Sequence, residues 1–330
     1  MRCHPVTRLQ ALRKSLCLSS PHGFSGDPRL IALCILCFAF CIFQTSIIRA
    51  SETAGTTYPF LDLQLTPRAQ SLGGAFTALG NDAGAVLQNP AGLAQVHFSS
   101  VELMQTQPVF DSDYYLLTAQ FEGGWGLAWS QQTMSNIALT ATTSATVTSD
   151  VLADGYSAYL ANALTLAKAV EVNDALSLGA ALSGFYQDFS GIDYGKGYGA
   201  ALTLGLLWDA ADFRVGGTLK DMLNLQRWNN GTWERAASEL RLGVAKSLGT
   251  DWDASVETRC KLSATPVWSL HAGAELRLLD LAALRLGYDD GVLTTGVGLL
   301  LGFTKLDCSY ESSSTNTYAE RVRVSAGVIF

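Results

Sequence analysis

The C-terminal stretch ERVRVSAGVIF, residues 320–330, alternates between apolar residues and polar or small ones. In an extended strand the two sets would lie on opposite faces, because successive side chains point to opposite sides. The same alternation occurs in WDASVETRCKL, residues 252–262, and in WSLHAGAELRL, residues 268–278. A helix would mix the two sets, since its side chains rotate by about 100° per residue. The pattern therefore predicts strands with one apolar face and one charged face.

The overall composition fits such strands better than it fits membrane helices. Hydrophobic residues make up 48% of the 330 residues and charged residues only 15%, against about 25% charged in an ordinary soluble domain. After residue 50, no apolar run approaches the roughly 20 residues that a membrane helix needs. The apolar residues are instead dispersed among 31 glycines and only 8 prolines.

The first 50 residues are predicted to be a signal peptide that is removed. Basic residues precede the apolar run LIALCILCFAFCIF, residues 30–43, and Ala50 ends a stretch that suits signal peptidase. A retained membrane anchor is the alternative, because the apolar stretch from Leu30 to Ile48 is longer than a usual signal core.

Without this leader the chain is acidic and poor in cysteine. The leader holds six of the 22 basic residues and one of the 29 acidic residues, which leaves 16 basic against 28 acidic. That balance argues against a nucleic-acid partner, which needs a basic face. Five of the seven cysteines also lie in the leader, so Cys260 and Cys308 remain, either as one disulfide or as two free thiols.

The aromatic residues distinguish a membrane barrel from a soluble sandwich. One group lies beside the short turns and the other beside the longer loops. If the strands run up and down, the groups form two rings around an apolar band, which is the signature of a transmembrane β-barrel. The short-turn ring comprises Phe121, Trp125, Trp208, Phe213, Trp252, Phe303 and Phe330. The long-loop ring comprises Phe110, Tyr114, Phe185, Tyr186, Tyr198, Trp228, Trp233, Trp268, Tyr288, Tyr310 and Tyr318.

The predicted fold class is therefore all-β, a transmembrane antiparallel β-barrel of about 14 strands, with about 12 as the lower limit. In lipid no backbone N–H or C=O can remain unpaired, so the last strand is expected to pair with the first and to close the sheet. The predicted strands are 98–107, 113–121, 125–133, 154–171, 175–188, 196–208, 213–222, 237–247, 252–263, 267–278, 283–289, 293–303, 306–311 and 319–330.

The segment before the barrel does not alternate. PRAQSLGGAFTALGND, residues 67–82, places Leu72, Phe76 and Leu79 at helical spacing, and its first residue, a proline, is able to begin a helix. The pair Gly73-Gly74 would cost an isolated helix about 1 kcal/mol per glycine relative to alanine. That cost is reasonable if the backbone packs closely against another part of the protein. Asn-Pro-Ala-Gly, residues 89–92, predicts a turn.

TPRAQSLGGAFTALGNDAGAVLQNPAGLAQV, residues 66–96, resembles the N-terminal segment of the FadL superfamily of outer-membrane transporters. The resemblance is greatest to the PorV-like branch and to uncharacterised spirochaetal relatives. It implies a hatch folded into the barrel lumen, with Asn89, Pro90 and Ala91 at the periplasmic mouth. The chain then divides into a signal peptide (1–50), a hatch (51–97) and a barrel (98–330). The implied hatch or gate residues are Leu72, Gly73, Gly74, Phe76, Leu79, Asn89, Pro90 and Ala91.

No sequence pattern indicates an enzyme, a metal site or a cofactor. His271 shares a strand face with Ser269, but this spacing is not diagnostic of a Ser–His hydrolase, and a polar lumen lining is the preferred interpretation. The inward charges are interpreted as cross-strand ion pairs or, alternatively, as a basic strip that attracts an anionic headgroup. These predicted lumen-lining residues are Arg214, Lys220, Arg241, Glu257, Arg259, Lys261, His271, Glu275, Arg277, Arg285, Arg321 and Arg323.

By this resemblance the protein is expected to lie in the outer membrane of a diderm bacterium. Passive uptake of hydrophobic small molecules, above all long-chain fatty acids, would proceed through the hatch-gated lumen. The alternative is a PorV-like protein that binds or shuttles secreted proteins without substrate transport. The expected partners are the lipid bilayer, the hydrophobic ligand and the outer-membrane assembly machinery, which commonly receives barrels that end in phenylalanine, as Phe330 does here.

Overall fold

The computed structural model describes residues 59–108, 112–142, 151–191, 195–210, 213–279, 281–312 and 321–330. The predicted signal peptide, the predicted hatch up to residue 58, and Phe110 and Tyr318 of the long-loop ring lie outside these ranges. Within them, no helix has the length and apolar character needed to cross a bilayer.

Fourteen antiparallel strands close into a barrel, and two short strands form an additional hairpin at one rim. The additional hairpin consists of β8 (Leu225–Trp228) and β9 (Trp233–Glu234). The barrel strands are β1 (Ser100–Thr106), β2 (Ser112–Phe121), β3 (Trp125–Thr142), β4 (Val151–Asn173), β5 (Leu176–Ser190), β6 (Lys196–Asp209), β7 (Arg214–Lys220), β10 (Ser238–Leu248), β11 (Trp252–Leu262), β12 (Val267–Leu278), β13 (Ala282–Asp289), β14 (Val292–Leu301), β15 (Thr304–Glu311) and β16 (Arg321–Ile329).

The predicted closure of the sheet is confirmed. β16 pairs with β1 from Ser100↔Ile329 to Thr106↔Arg323, and each predicted strand has one counterpart in the barrel. β3 and β4 are longer than predicted, because they continue as a two-stranded hairpin beyond the point where β2 and β5 end. β8 and β9 lie within the stretch 223–236 that was expected to be a loop.

The predicted two-faced strands are also observed. In β11, Trp252 and Val256 are exposed on the outer face, whereas Asp253 and Glu257 are buried on the inner face. The outer face carries apolar residues around the barrel, as lipid requires. The inner face carries the charged side chains. Residues 59–97 pack against this face.

Among the described aromatic residues, the predicted rings are confirmed with three exceptions, Tyr114, Phe185 and Trp228, the last of which lines a cavity in the lumen. Phe121, Trp125 and Phe303 are exposed at the short-turn rim, and Tyr198, Trp233, Trp268 and Tyr288 are exposed at the long-loop rim. Tyr114 and Phe185 were predicted in the outer ring but face the lumen, where both are buried. The ring of Phe185 packs on that of Phe60, 5.9 Å away. Both faces of the wall are apolar there, so alternation could not assign them.

Residues 59–97, here called the lumenal segment, contact the inner wall of the barrel through short helices and turns. The helices are Pro59–Asp62, Pro67–Ser71, Ala85–Gln88 and the 3₁₀ helix Pro90–Gln95. Pro67 begins its helix as predicted, and the side chain of Thr66 caps it by accepting a hydrogen bond from the backbone N–H of Ala69.

The predicted helix through Leu72, Phe76 and Leu79 is wrong. The helix ends at Ser71, and the next two glycines adopt φ of +64° at Gly73 and +77° at Gly74. Two successive residues in this region are incompatible with a right-handed helix. Glycine is required here both for the positive φ and for space, because a Cβ on Gly73 would lie 2.2 Å from the carbonyl oxygen of Tyr288.

Inward-facing glycines let the lumenal segment approach the wall closely. A Cβ on Gly205 would lie 2.1 Å from Oδ1 of Asn89, and a Cβ on Gly179 would lie 2.3 Å from the backbone of Pro90 and Ala91. Seven barrel glycines have such a contact, each with a lumenal-segment atom within 2.6 Å of the added Cβ. They are Gly126, Gly179, Gly205, Gly216, Gly273, Gly287 and Gly296.

We expect Gly179→Val to lower the free energy of unfolding by about 3 kcal/mol, the upper end of the usual cost of overpacking, because the atoms it meets are backbone. Urea unfolding of the barrel in lipid vesicles, followed by tryptophan fluorescence, measures this change. Gly184→Val on the same strand is the matched control, since Gly184 faces outward with nothing within 4 Å of an added Cβ. Equal losses in the two variants would contradict close packing of the segment.

Candidate functional site

A buried network of charges joins the lumenal segment to the barrel wall. Arg68 forms two hydrogen bonds of 2.9 Å with the carboxylate of Glu275 on β12 and one of 3.0 Å with Asp82. Arg285 bonds the same Glu275 at 2.6 Å and Asp307 at 2.5 Å. Lys305 lies 3.4 Å from Asp82, 3.0 Å from Glu102 and 3.1 Å from Asp307. The ion-pair cluster comprises Arg68, Asp82, Glu102, Glu275, Arg285, Lys305 and Asp307.

The ion-pair cluster holds its charges together in a region away from water. Burial acts to raise the pKa of Asp82, but the positive charges of Lys305 and Arg68 outweigh burial and hold that pKa at about 2. Asp82 is therefore ionised at neutral pH. The guanidinium of Arg68 also lies over the ring of Phe76, 5.4 Å from its centre. Because removal of one member would leave buried charges uncompensated, such a cluster resists rearrangement.

Strand alternation places Glu275, Arg285 and Asp307 of this cluster on the inner face of the wall. Arg68 and Asp82 were missed, although both stand in the segment that carries the family resemblance. The available signal for these two residues was their charge, since the rest of the stretch is rich in small and apolar residues.

Most of the other predicted lumen-lining charges bind the lumenal segment rather than each other across strands. Arg214 donates to the carbonyl of Leu79, Lys220 to that of Leu61, Arg259 to that of Gly74, and Arg323 to those of Leu63 and Leu65. Arg241 donates to the side chain of Gln88, Glu257 accepts from the backbone N–H of Thr77, and His271 contacts the carbonyl of Gly73. Lys261 pairs with Asp62, and Arg277 with Asp253.

The predicted hatch residues are all buried. Leu72, Phe76 and Leu79 share one apolar cluster with Ala245 of β10. Asn89 donates hydrogen bonds to the carbonyls of Thr77 and Leu206, at 2.8 and 3.0 Å. Pro90 and Ala91 pack against β5 and β6 near the short-turn rim. That these residues act as a hatch or gate remains a prediction.

A cavity of about 580 Å³, here called the vestibule, lies above the lumenal segment at the long-loop rim. Apolar side chains from the extended β3–β4 hairpin and from β5 and β8 form most of its wall. The rings of Tyr159 and Phe189 lie 4.7 Å apart, and those of Phe189 and Trp228 lie 6.2 Å apart. The lining residues are Asp62, Leu63, Pro108, Gln132, Met134, Ile137, Tyr159, Gln187, Phe189, Trp228 and Arg321.

A β-bulge in β3 shapes this cavity. The pairing with β4 shifts between Met134 and Ile137, with Asn136 at φ +59°. Because the bulge adds one residue, it changes which side chains point inward. Met134 before it and Ile137 after it therefore both line the vestibule. Alternation in the sequence did not reveal this shift.

Arg321 is the cationic residue of the vestibule wall. Its guanidinium lies 3.8 Å from Glu311, beyond hydrogen-bonding distance. Its Nε atom is buried and has no hydrogen-bond partner among the described residues. Glu311 instead accepts a hydrogen bond of 2.5 Å from Gln70 of the lumenal segment. The vestibule thus combines mainly apolar walls with one guanidinium, that of Arg321, and one carboxylate, that of Asp62.

Metal chemistry has no evident site in the described part of the chain, where no group of three or more His, Cys, Asp or Glu side chains could hold a metal ion. Cys260 and Cys308 are both free thiols in this structure, the first buried and the second exposed.

Comparison with known proteins identifies the fold. Residues 44–200 match an uncharacterised protein family, UPF0164. The structure is similar to the Ralstonia pickettii toluene transporter TbuX, with 14% identity, 80% of this chain and 97% of that chain covered, and a TM-score of 0.57. It is also similar to the Pseudomonas putida toluene transporter TodX, with 10% identity, 80% and 96% coverage, and a TM-score of 0.52.

A Pseudomonas aeruginosa FadL homologue gives 10% identity, 81% and 96% coverage, and a TM-score of 0.50. No curated protein matches the sequence. The predicted FadL-type barrel is thereby confirmed at the level of the fold. The PorV-like branch remains a prediction.

We expect Arg68→Ala to lower the free energy of unfolding by about 3 to 5 kcal/mol, because it leaves Glu275 and Asp82 without their shared partner in a buried site. Lys196→Ala is the control, since Lys196 is more than half exposed in its 3.8 Å pair with Asp188, and surface pairs contribute about 1 kcal/mol or less. Vesicle-based urea unfolding reads out both. A loss for Arg68→Ala no larger than that of the control would show that the cluster does not hold the segment.

Proposed function

We propose that this protein takes up hydrophobic small molecules that carry a carboxylate, above all long-chain fatty acids, across the outer membrane of a diderm bacterium. The observation that carries the proposal is the vestibule, where the partly exposed side chain of Arg321 lies in a mainly apolar wall. A volume of about 580 Å³ is within the range of roughly 300–1,000 Å³ typical of small-molecule sites.

The vestibule favours an amphiphile over a neutral hydrocarbon. Met134, Ile137 and Phe189 would contact the apolar chain, which gains free energy by leaving water. Arg321 would bind the carboxylate through charge-assisted hydrogen bonds, which are the strong ones in proteins. Two structural neighbours are named as toluene transporters, and this supports a hydrophobic ligand. The arginine is the reason to prefer an acid here.

Ligand release into the periplasm would require the lumenal segment to shift, with Asn89, Pro90 and Ala91 as its gate. Arg321, Glu311 and Gln70 form a direct route from the headgroup to that segment. A bound carboxylate would compete with Glu311 for Arg321. Glu311 would then be free to strengthen or exchange its bond with Gln70, and so couple binding to the segment.

The remaining expectations follow from location. The leader would be cleaved on export, and the lipid bilayer would surround the apolar outer face. The strand that ends at Phe330 would be handled by the outer-membrane assembly machinery. The protein is expected to act as a transporter rather than as a PorV-like binding protein, because the vestibule is small and apolar.

We expect Arg321→Gln to weaken binding of a long-chain fatty acid by about 10- to 100-fold, because a hydrogen bond to a charged group contributes about 1.5–3 kcal/mol. Binding of toluene should change by less than about threefold. Isothermal titration with the refolded barrel measures both ligands. Arg227→Gln is the control, an exposed arginine of β8 at the same rim that lies outside the vestibule lining.

Uptake of labelled fatty acid into liposomes tests transport itself. Saturable uptake through the wild-type barrel that falls with Arg321→Gln is the expected result. Binding without uptake would overturn the transport step and keep the ligand site. Neither binding nor uptake by a correctly folded barrel would overturn the proposal and favour the PorV-like alternative.

A further inference from the structure

We propose that Ser269, His271 and Asp289 form a hydrolytic site for carboxylic esters in the lumen, on the side of the long-loop rim. The inference does not depend on transport, and it revises the expectation that this chain is not an enzyme. Alternation places Ser269 and His271 on one strand face. Alternation does not place Asp289, because its position beside His271 depends on the pairing of β12 with β13.

The three side chains have the geometry of a nucleophile, a base and an orienting acid. Oγ of Ser269 lies 2.8 Å from Nε2 of His271, and Nδ1 of His271 lies 2.9 Å from Oδ1 of Asp289. Ser269 and His271 are successive inward residues of β12, and His271 and Asp289 are direct cross-strand partners. Both distances are within the range expected for such a relay.

The surroundings of His271 determine which ring nitrogen carries the proton. Nδ1 faces two acceptors, Oδ1 of Asp289 and the carbonyl oxygen of Gly73, each 2.9 Å away. A carbonyl oxygen cannot donate, so Nδ1 must carry the hydrogen. Nε2 of the neutral ring is then an acceptor, and the hydroxyl of Ser269 donates to it. This is the tautomer that general-base activation of a serine requires.

Among the residues that the structure describes, the other inward serines of the barrel lack this arrangement. Ser255, for example, donates to the carbonyl of Ala75, which satisfies the hydroxyl without activating it. The imidazole of His271 is buried, whereas Ser269 is partly exposed. A base shielded from water beside an accessible hydroxyl suits a reaction in which the substrate arrives at the serine.

Arg259 supplies the positive charge that such a reaction needs. It is the cross-strand partner of Ser269, so the two side chains project from the same face within about 5 Å at Cβ. Its guanidinium is fixed by Glu257 at 2.7 Å and by the carbonyl of Gly74 at 2.6 Å. From the same face, the guanidinium would stabilise the oxyanion of a tetrahedral intermediate formed at Ser269.

The reaction proceeds in two balanced steps. Oγ of Ser269 attacks the ester carbonyl while its proton moves to Nε2 of His271, and the alcohol leaves with that proton as the acyl–serine bond forms. Water then attacks the acyl group, gives its proton to Nε2, and the carboxylic acid leaves as Oγ regains a proton. An apolar acyl ester is the substrate class that fits a lumen bordered by the mainly apolar vestibule.

The full-length protein is refolded in detergent, and its folding is checked by heat-modifiable mobility on gels. The folded protein is then treated with a fluorophosphonate probe. Peptide mass spectrometry then locates the phosphonate adduct, and hydrolysis of p-nitrophenyl butyrate gives the rate. The expected result is an adduct on Ser269 and hydrolysis above the solvent rate. A folded barrel with no adduct on Ser269 would overturn the proposal without any variant.

Variants separate an activated serine from an exposed one. We expect Ser269→Ala to abolish labelling, and His271→Gln and Asp289→Asn each to slow it by about 100-fold or more, the usual contribution of a general base. Ser263→Ala should label at the wild-type rate, since Ser263 lies at the same rim but donates to the carbonyl of Thr265. Labelling of Ser269 at an unchanged rate in His271→Gln would also overturn the proposal.

Discussion

Every backbone donor and acceptor in this barrel must find a partner inside the protein, and the rest of the structure depends on that constraint. The wall meets it through pairing of each strand with two neighbours, including β16 with β1. The lumenal segment cannot meet it alone, because its helices are short and most of its carbonyls have no partner within a helix. Inward arginines and lysines of the wall supply the missing donors, as Arg323 does for Leu63 and Leu65.

The lumen is charged although the lumenal segment occupies it, because the inward charges bind that segment. The glycines of the wall bring the segment's backbone close, and the cationic side chains around them bind its carbonyls. Acidic residues such as Glu239 and Glu257 lie two positions from an arginine on the same strand and orient it. The distances from carboxylate oxygen to guanidinium Nε are 2.5 and 2.7 Å. The two interpretations offered by the sequence, a ladder of ion pairs and a basic strip, each describe part of this arrangement. Within the residues described, Arg321 is the one arginine that lines the vestibule.

The strands and their faces could be predicted because a wall between lipid and a polar lumen imposes a period of two on each strand. The inward orientation of Tyr114 and Phe185 was not predicted, because apolar residues occupy both sides of the wall where they lie. The predicted helix through Phe76 does not form, because contacts with distant parts of the chain set the φ values of Gly73 and Gly74. Arg68 and Glu275 are 207 positions apart, and no local pattern joins them. The vestibule depends on a bulge, and the position of Asp289 depends on strand register, neither of which alternation reveals.

The route of the lumenal segment around the wall has a consequence for biogenesis. Ser71 and Gly73 contact β14, and Leu65 is held by Arg323 of β16, which is 258 positions later in the chain. The lumenal segment, which is synthesised before the barrel, therefore binds to the C-terminal strands, which are synthesised last. Such long-range contacts form slowly, so the segment stays without its partners until the C-terminal strands have assembled. Until those strands are in place, apolar residues of the segment such as Leu72 and Phe76 lack the wall contacts that bury them.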